Sequence, residues 1–502
     1  MFESCGIKPI PVAYPWPTNT YGETMKGYPK IGMFDILSRD ELYSIHVATL
    51  ELLEKVGVMV DNEKALTLFL EAGAEVDPKT KIVRIPQYLV EEAIKWAPRS
   101  ILFAGRDRRL DLRLEGRRVY FGLGGGFINI IDLDGKRRPA GKGDIIDAVR
   151  LADALPNIDF VMPCFSYNTP HIGLHELDVM LRNTEKPLVC MDYGDVDVIR
   201  YIELASVVVG GETELRKRPI LCMYVEPISP LTHGDTHTEN LMTFARANLP
   251  IVPVPCPIMG ATIPASLAGA IVQGSAETLS GNVIIQLTSK GAPVIFGASN
   301  AIMDMKAQVR AVAGPEYLIN NLAIAQLGRY YGLPTWSSGG VSTSKVLDGQ
   351  AYIEMTISLF VAAASGANLI HDVGLLERGI TGCLDVITIC DELASMFRRF
   401  LDGVNVTDET LALDLMAKVG PGGSYLVHEH TRDHVRREHW FPTLIDRHRW
   451  ERWMAEGSKD LSQRVNEKTR EILQTHTPRP LSKDIEERLT EIIREVERGR
   501  RV

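Results

Sequence analysis

A short apolar run at 333–336 leads into Ser337-Ser338-Gly339-Gly340, and a helix-forming segment follows from about 348 to 364. Ser365-Gly366-Ala367 breaks that helix, and a second apolar run at 368–371 ends in Asp372 and Gly374. Strand, loop, helix, turn and strand in this order make one β/α crossover, the connection that parallel strands require. Polar residues and glycines gather just after each strand. In a parallel barrel that end of the strands carries the chemistry.

The unit recurs. Strand-like runs fall at 160–163, 187–191, 220–225, 251–255, 293–297, 333–336 and 368–371. Helical runs at 174–182, 196–209, 238–247, 265–290, 316–331 and 350–364 lie between them. The strands lack clean alternation, as expected when both faces are buried. These signals predict a (β/α)8 TIM barrel over 142–401, with 384–389 either supplying an eighth strand or opening a helix. A doubly wound open sheet is the alternative. Ahead of the barrel, 1–36 reads as an extended arm rich in proline, glycine and aromatics. Residues 37–141 form a helical and β-hairpin elaboration, opened by Ser38 and Glu41 as a capping box and turned at Asp134-Gly135. From 402 to 502 the chain is charged and helical, packed on the barrel or at a contact between subunits.

Of the 502 residues, 45% are hydrophobic and 24% charged, enough apolar material for a sizeable core. The excess of 64 acidic over 55 basic residues excludes nucleic-acid binding through phosphate contacts. The amino terminus does not read as a secretory signal. The nearest approach to a membrane span, 351–370, is interrupted by Glu354 and by the break at 365–368, so no membrane is involved. Seven cysteines without a Cys-x-x-Cys pair read as core residues of a cytoplasmic protein.

Two motifs are set aside. The glycines at 122 and 124–126 precede a hairpin, whereas a dinucleotide loop opens a helix. His428, His430, His434 and His439 include an i, i+4 pair, but Thr431 stands where a zincin needs glutamate, so a structural role is expected and no tightly bound metal. The loops after the strands remain. They bring Phe165 and Ser166, Asp192 and Tyr193, Glu226 and Ser229, Met259 and Thr262, Asn300, residues 336–340, and His371 with Asp372 to one mouth. Cations there are few: Lys306, Arg310 and Lys345. Aromatic faces beside carboxylates suit an organic cation.

At these loops the chain resembles the trimethylamine methyltransferase family. The resemblance rests on Ser229-Pro230-Leu231, Gly260-Ala261-Thr262 with Pro264, Leu267-Ala268-Gly269-Ala270, Gln273, Ala276-Glu277 and Leu279. It continues through Gly291-Ala292-Pro293-Val294, Asp304-Met305, Gly314-Pro315-Glu316, Asp348, Gln350-Ala351, His430-Thr431, Glu438, Trp440 and Pro442. It implies a (β/α)8 barrel that works with a separate corrinoid protein carrying cobalamin. The family's founding enzyme has pyrrolysine near the strand that here runs into 337–340. Only standard residues stand there in this chain, which makes it similar to the non-pyrrolysine branch.

That branch implies a quaternary amine such as glycine betaine, proline betaine, carnitine or γ-butyrobetaine. Displacing a methyl group from such a cation leaves a neutral amine, so no catalytic acid is expected. Positive charge falls on the way to the transition state, so a loose cage is expected. Its candidates are Trp336, Phe165, Tyr224 and Phe296, with Glu226 balancing the charge. His371 is expected to grip a substrate carboxylate, aided by Ser338 and Asn300, with Gly339 and Gly340 facing the corrinoid. A homo-oligomer is expected. A barrel that binds a corrinoid protein without turnover, and a zinc-activated methyl transferase, are the alternatives.

Overall fold

The computed structural model describes residues 34–194 and 198–499. The arm expected at 1–36 therefore falls outside the described residues, apart from its last three. The chain divides into two units, one holding 405–441 and the other holding the described residues 34–404 and 442–499.

The larger unit is a mixed α/β fold whose parallel pairings can be followed in a circuit. Tyr120–Leu123 pairs with Leu369–Val373, which pairs with Trp336–Ser338. Thr335 bridges Phe296, Val294 bridges Ile251, and Ile251–Pro253 pairs with Leu221–Val225. Leu221–Val225 pairs with Leu188–Met191, Leu188 bridges Val161, and Phe160 bridges Gly122 in the starting strand. Helices Lys142–Ala154, Ile172–Asn183, Ile199–Val209, Asp235–Ala247, Leu267–Thr288, Pro315–Tyr331 and Gly349–Ser365 separate successive members, and Leu384–Leu401 follows the last. Helical crossovers of this kind cover a parallel sheet on its outer face.

One expectation changes, and one open alternative closes. Tyr120–Leu123 was expected in the amino-terminal elaboration but pairs with Leu369–Val373. Its neighbours in sequence form an antiparallel hairpin, Asn129–Ile131 with Arg137–Pro139, and local patterning cannot report a partner at the far end of the chain. Residues 384–389 are not a strand: they open the helix Leu384–Leu401, which buries Leu384, Ile387, Cys390, Leu393, Ala394 and Phe397 at helical spacing. Polar anchors fix the seam between these parts. The Phe121 amide donates to Asp159 Oδ2 (2.8 Å), and the same carboxylate pairs with Arg398 of that last helix. Buried Lys186 donates to the carbonyls of Ala152 and Leu155, at the end of the helix Lys142–Ala154, and of Ile158 in the loop beyond it.

The amino-terminal elaboration covers Leu267–Thr288, a helix buried on nearly all sides. Leu42, Leu50 and Leu53 from the helix Arg39–Lys55 share a core with its Leu279, Val283 and Ile284. Ser38 and Glu41 form the capping box expected of that first helix. The terminal helices Leu461–Thr475 and Lys483–Glu497 bury Val465, Ile472, Leu489 and Ile492 in the largest core cluster, so their charged faces are outer faces only. No helix among the described residues is long and apolar enough to cross a membrane.

His233 in this region makes stability depend on pH. Its ring is buried, with Nε2 at 2.7 Å from Ser280 Oγ, and burial depresses its pKa from 6.5 to about 4. Between these values the unfolded chain takes up a proton that the folded chain refuses, so stability falls as pH drops from 6.5 towards 4. The loss is about 3 kcal/mol in all, at ~1.4 kcal/mol per pH unit. Melting temperatures measured from pH 7 to pH 4.5 should fall less steeply in His233→Gln than in the parent.

Candidate active site

Inside the circuit the apolar side chains form one cluster. Tyr120, Phe160, Met162, Val189, Cys222, Tyr224, Val252, Val254, Ile295, Trp336 and Leu369 all belong to it. The hairpin of Ile101–Phe103 and Leu112–Leu114 adds four apolar side chains, and its Arg113 amide lies 3.3 Å from Tyr120 Oη at the start of that strand. Apolar filling near the strand starts leaves the polar groups to the strand ends, where Tyr224, Glu226, Ser338, His371 and Asp372 collect. That is the end on which parallel β/α folds build their sites.

The aromatic groups pack closely. Trp336 and His371 have ring centroids 4.6 Å apart, inclined by 31°, and the Tyr224 ring lies 5.5 Å from Trp336 and 5.8 Å from His371. Gly297 permits this placement of Trp336, since a Cβ there would meet the Trp336 carbonyl oxygen at 2.8 Å. Tyr224 Oη donates to Glu226 Oε1 (2.9 Å) and sits 3.1 Å from Cys256 Sγ. Glu226 itself is exposed, so the carboxylate stands at the wet end of a buried aromatic group. Burial, followed by the Cys256 and Glu226 groups, pushes the Tyr224 hydroxyl far above its ordinary pKa and keeps it a neutral donor.

Asp372 organises the deeper half. Ser338 Oγ donates to its Oδ2, and His371 Nδ1 lies 2.8 Å from its Oδ1. Burial alone would raise this carboxyl, but His371, the Ser338 hydroxyl and Arg310 outweigh it and hold the group below the usual carboxylate range. Asp372 carries a φ of +82°, in the left-handed region that a non-glycine residue rarely adopts, and the strand register shifts between Ile370 and Val373. Arg310, whose charge acts on Asp372, stands on the antiparallel hairpin Ala301–Asp304 with Val309–Ala311, whose first strand pairs in parallel with Ile258–Met259.

The structure brings Tyr224, Glu226, Trp336, Ser338 and His371 together and places the other expected residues elsewhere. Phe165 meets Phe127 edge to face (6.4 Å) in the core cluster that backs onto the surrounding helices. Phe296 faces outwards too, against Tyr331 at 5.4 Å. Asn300 Nδ2 donates to Ala270 O (3.0 Å) and Asn320 Oδ1 (3.2 Å), bracing two helices. Gly339 packs on Leu359 and Ala362 of the helix Gly349–Ser365, and Gly340 on Cys390 and Val373, so both serve close helix approach. Asp192 is held by His237 Nδ1 (2.7 Å) and Asn240 Nδ2 (2.8 Å), which leaves it a structural anchor. Arg310, Cys256 and Tyr317, which had no assigned role, join the site instead. Tyr317 Oη lies 3.2 Å from Ser299 Oγ.

Several residues that carry the family resemblance form one support. Glu277, fully buried, accepts from Ser229 Oγ (2.6 Å), the Leu231 amide (2.9 Å) and Gln273 Nε2 (2.9 Å). It thereby fixes the loop that follows Tyr224 and Glu226. In the smaller unit, His430 and His434 stack at 3.8 Å on the helix Glu429–Glu438, and His434 Nδ1 lies 2.9 Å from the His430 carbonyl oxygen. That contact engages one ring nitrogen in the helix itself. Among the described residues no group of three or more His, Cys, Asp or Glu is arranged to hold a metal ion. A groove of about 420 Å³ lined by Lys142, His175, Arg182 and Arg494 lies on the outer helices and includes none of the residues of this site.

Comparison with known proteins agrees with the resemblance. The family model described as Trimethylamine methyltransferase (MTTB) matches residues 19–499. The trimethylamine methyltransferase of Desulfitobacterium hafniense (strain DCB-2) is 39% identical over 464 residues, 92% of this chain and 93% of that protein. A trimethylamine methyltransferase of Methanosarcina barkeri is 35% identical over 460 residues, 90% of this chain and 93% of its own. The glycine betaine methyltransferase of Desulfitobacterium hafniense (strain Y51) is 30% identical over 475 residues, 93% and 98% of the two chains. Among solved structures, the monomethylamine methyltransferase of Methanosarcina barkeri superposes with a TM-score of 0.51 at 10% identity, covering 88% of each chain, a likeness of fold alone.

Proposed function

Since the chain belongs to the trimethylamine methyltransferase family and is a methyltransferase, we propose that it moves a methyl group from a quaternary amine to the Co(I) corrinoid of a partner protein. The observation that carries this reading is the buried aromatic group Trp336, Tyr224 and His371, with the Glu226 carboxylate at its open end. A quaternary ammonium has no N–H to donate, so aromatic faces and a nearby carboxylate are the means of holding it. We also read the circuit of parallel pairings as a (β/α)8 barrel, since a doubly wound open sheet would leave two edges unpaired.

The relatives named for trimethylamine are more similar than the one named for glycine betaine, 39% against 30%, so similarity does not choose the substrate. The standard residues at 337–340 and the aromatic–carboxylate pairing favour the quaternary amine. The six described cysteines are all unpaired, which suits the reducing cytoplasm in which we place the reaction.

The corrinoid is the methyl acceptor: its Co(I) supplies the electron pair for the new bond to carbon, and the C–N pair stays on nitrogen as a neutral tertiary amine. The chain's own residues then have two tasks. Trp336 and Tyr224 orient the ammonium so that one methyl group points out of the mouth, a positional contribution. Glu226 stabilises the cation before transfer, and its exposure keeps that stabilisation weak, which suits a charge that disappears in the transition state.

The test is incubation of the full chain with reduced corrinoid protein and glycine betaine, proline betaine, carnitine, γ-butyrobetaine, choline or trimethylamine. The tertiary amine product is measured by mass spectrometry beside the corrinoid's visible absorbance. Demethylation of a quaternary amine but not of trimethylamine is the expected result. Trimethylamine as the sole substrate would overturn the substrate assignment, and silence across the panel with active partner would favour a barrel that binds without turnover.

A further inference from the structure

We propose that Cys256 is a positioning residue for methyl transfer: its thiol donates to Tyr224 Oη and so fixes the Tyr224–Glu226 pair against which the ammonium is held. This rests on the methyl-transfer reading above and deepens it. Tyr224 Oη has two polar neighbours, Glu226 Oε1 at 2.9 Å and Cys256 Sγ at 3.1 Å. A phenol has a single O–H, and a carboxylate only accepts. The Tyr224 proton therefore goes to Glu226, and the proton between oxygen and sulfur comes from the thiol. Burial and the nearby Glu226 charge push the Cys256 thiol up, so at neutral pH it keeps the S–H that this arrangement needs. Thiol, phenol and carboxylate form a chain with one direction, in which each donor polarises the next.

The backbone holds the thiol still. Cys256 lies between Pro255 and Pro257, whose rings fix φ on either side of it. The carbonyl oxygens of both prolines accept from the segment that follows Phe296, Pro255 from the Ser299 amide (2.9 Å) and Pro257 from the Ala301 amide (3.0 Å). Just before them, the Val254 amide donates to the Val225 carbonyl oxygen (3.0 Å), next to Glu226 in sequence. The half-buried sulfur is thus anchored from both neighbouring strands, whereas Glu226 is a long, exposed side chain that loses rotamer freedom when it is held. Tyr224 passes the one constraint to the other. Its ring also stands 5.5 Å from Trp336 and 5.8 Å from His371, so a phenol free to turn would move a wall of the aromatic group as well. Cys256 acts on the substrate through these two side chains and needs no contact with the reacting carbon.

The experiment compares the full chain with Cys256→Ala, Tyr224→Phe and the double variant, using reduced corrinoid protein and the quaternary amine that the parent demethylates. Cys256→Ala should raise KM by ~5-fold to 10-fold with kcat within about threefold, the weight of one buried hydrogen bond. In the Tyr224→Phe background, where the accepting oxygen is gone, the same change should alter KM by less than about twofold. A second reading is independent of turnover. The S–H stretch of Cys256, isolated as the infrared difference between each background and its Cys256→Ala version, should lie below that of a free thiol in the parent and move towards it in Tyr224→Phe. Losses that add in the double variant, or a stretch at the free-thiol frequency in the parent, would overturn the assignment and leave Cys256 a residue that fills space. Turnover by the parent with either of those results leaves the methyl-transfer reading standing. A parent that demethylates nothing in the panel removes that reading, and the positioning role with it. Should the Tyr224→Phe variants fail to fold, the stretch in the parent decides.

Discussion

Asp372→Asn is expected to lower methyl transfer by about 100-fold while the protein stays folded. The side chain keeps its shape, and asparagine tolerates the left-handed φ of +82° at this position better than most residues. What goes is the negative charge. Ser338 Oγ and His371 Nδ1 both address this carboxylate, and Arg310 feels its field. With the amide in place, Arg310 loses a counter-charge in a buried setting, a change that costs on the order of 3 kcal/mol, or about two decades in rate if it falls on the transition state. His371 is also released from the contact that sets its ring against Trp336. The measurement is kcat and KM with the reduced corrinoid protein, beside a melting curve. A melting temperature within a few degrees of the parent and a rate unchanged within threefold would show that this charge has no part in the site. Because the carboxyl is held below the usual range, it stays ionised at neutral pH. Any acid loss of activity that belongs to it should then lie below the ordinary titration of an aspartate.

The unequal legibility of the sequence follows from what each signal measures. Helices such as Pro315–Tyr331 and Gly349–Ser365 announce themselves through glycine, proline and aspartate at their ends, and their observed bounds fall within a residue of the sequence reading. The sequence singles out Ser338 and His371 because they are polar residues on short strands of parallel units, Ser338 at the end of one and His371 within the next. Phe165 and Phe296 misled for a related reason. A parallel strand is apolar on both faces, so its pattern does not say which side chains point inwards, and these two point at helices. Arg310 was visible only as a scarce cation, because its position depends on a hairpin inserted after the strand. Tyr120–Leu123 was misplaced because its parallel partner lies far along the chain, a long-range fact that no local window contains.

Gly124→Ala should destabilise the fold and disable the site together. Gly124 follows Tyr120–Leu123, and a Cβ built there meets the Asp372 backbone nitrogen at 2.4 Å and its Cα at 2.7 Å. These are main-chain atoms of a buried strand end, so no side chain can swing away to make room. Relief requires the two strand ends to separate, and overpacking of a well-filled interior costs about 1–3 kcal/mol, with the upper end expected for a clash against backbone. The separation would act on the residue whose strained φ depends on being held from all sides, so the Asp372 contacts to Ser338 and His371 would loosen as well. Gly135→Ala is the informative control. Its φ of +78° also disfavours alanine, but a Cβ there meets nothing within 4 Å, and it sits in an exposed hairpin turn away from the strand ends. That change should cost about 1 kcal/mol and leave methyl transfer unaltered. Differential scanning calorimetry and rates on the two variants separate the effects. If Gly124→Ala melts with the parent and turns over normally, the close approach of these strands does not hold Asp372 in place, and its strained backbone must be maintained by the Ser338 and His371 contacts alone.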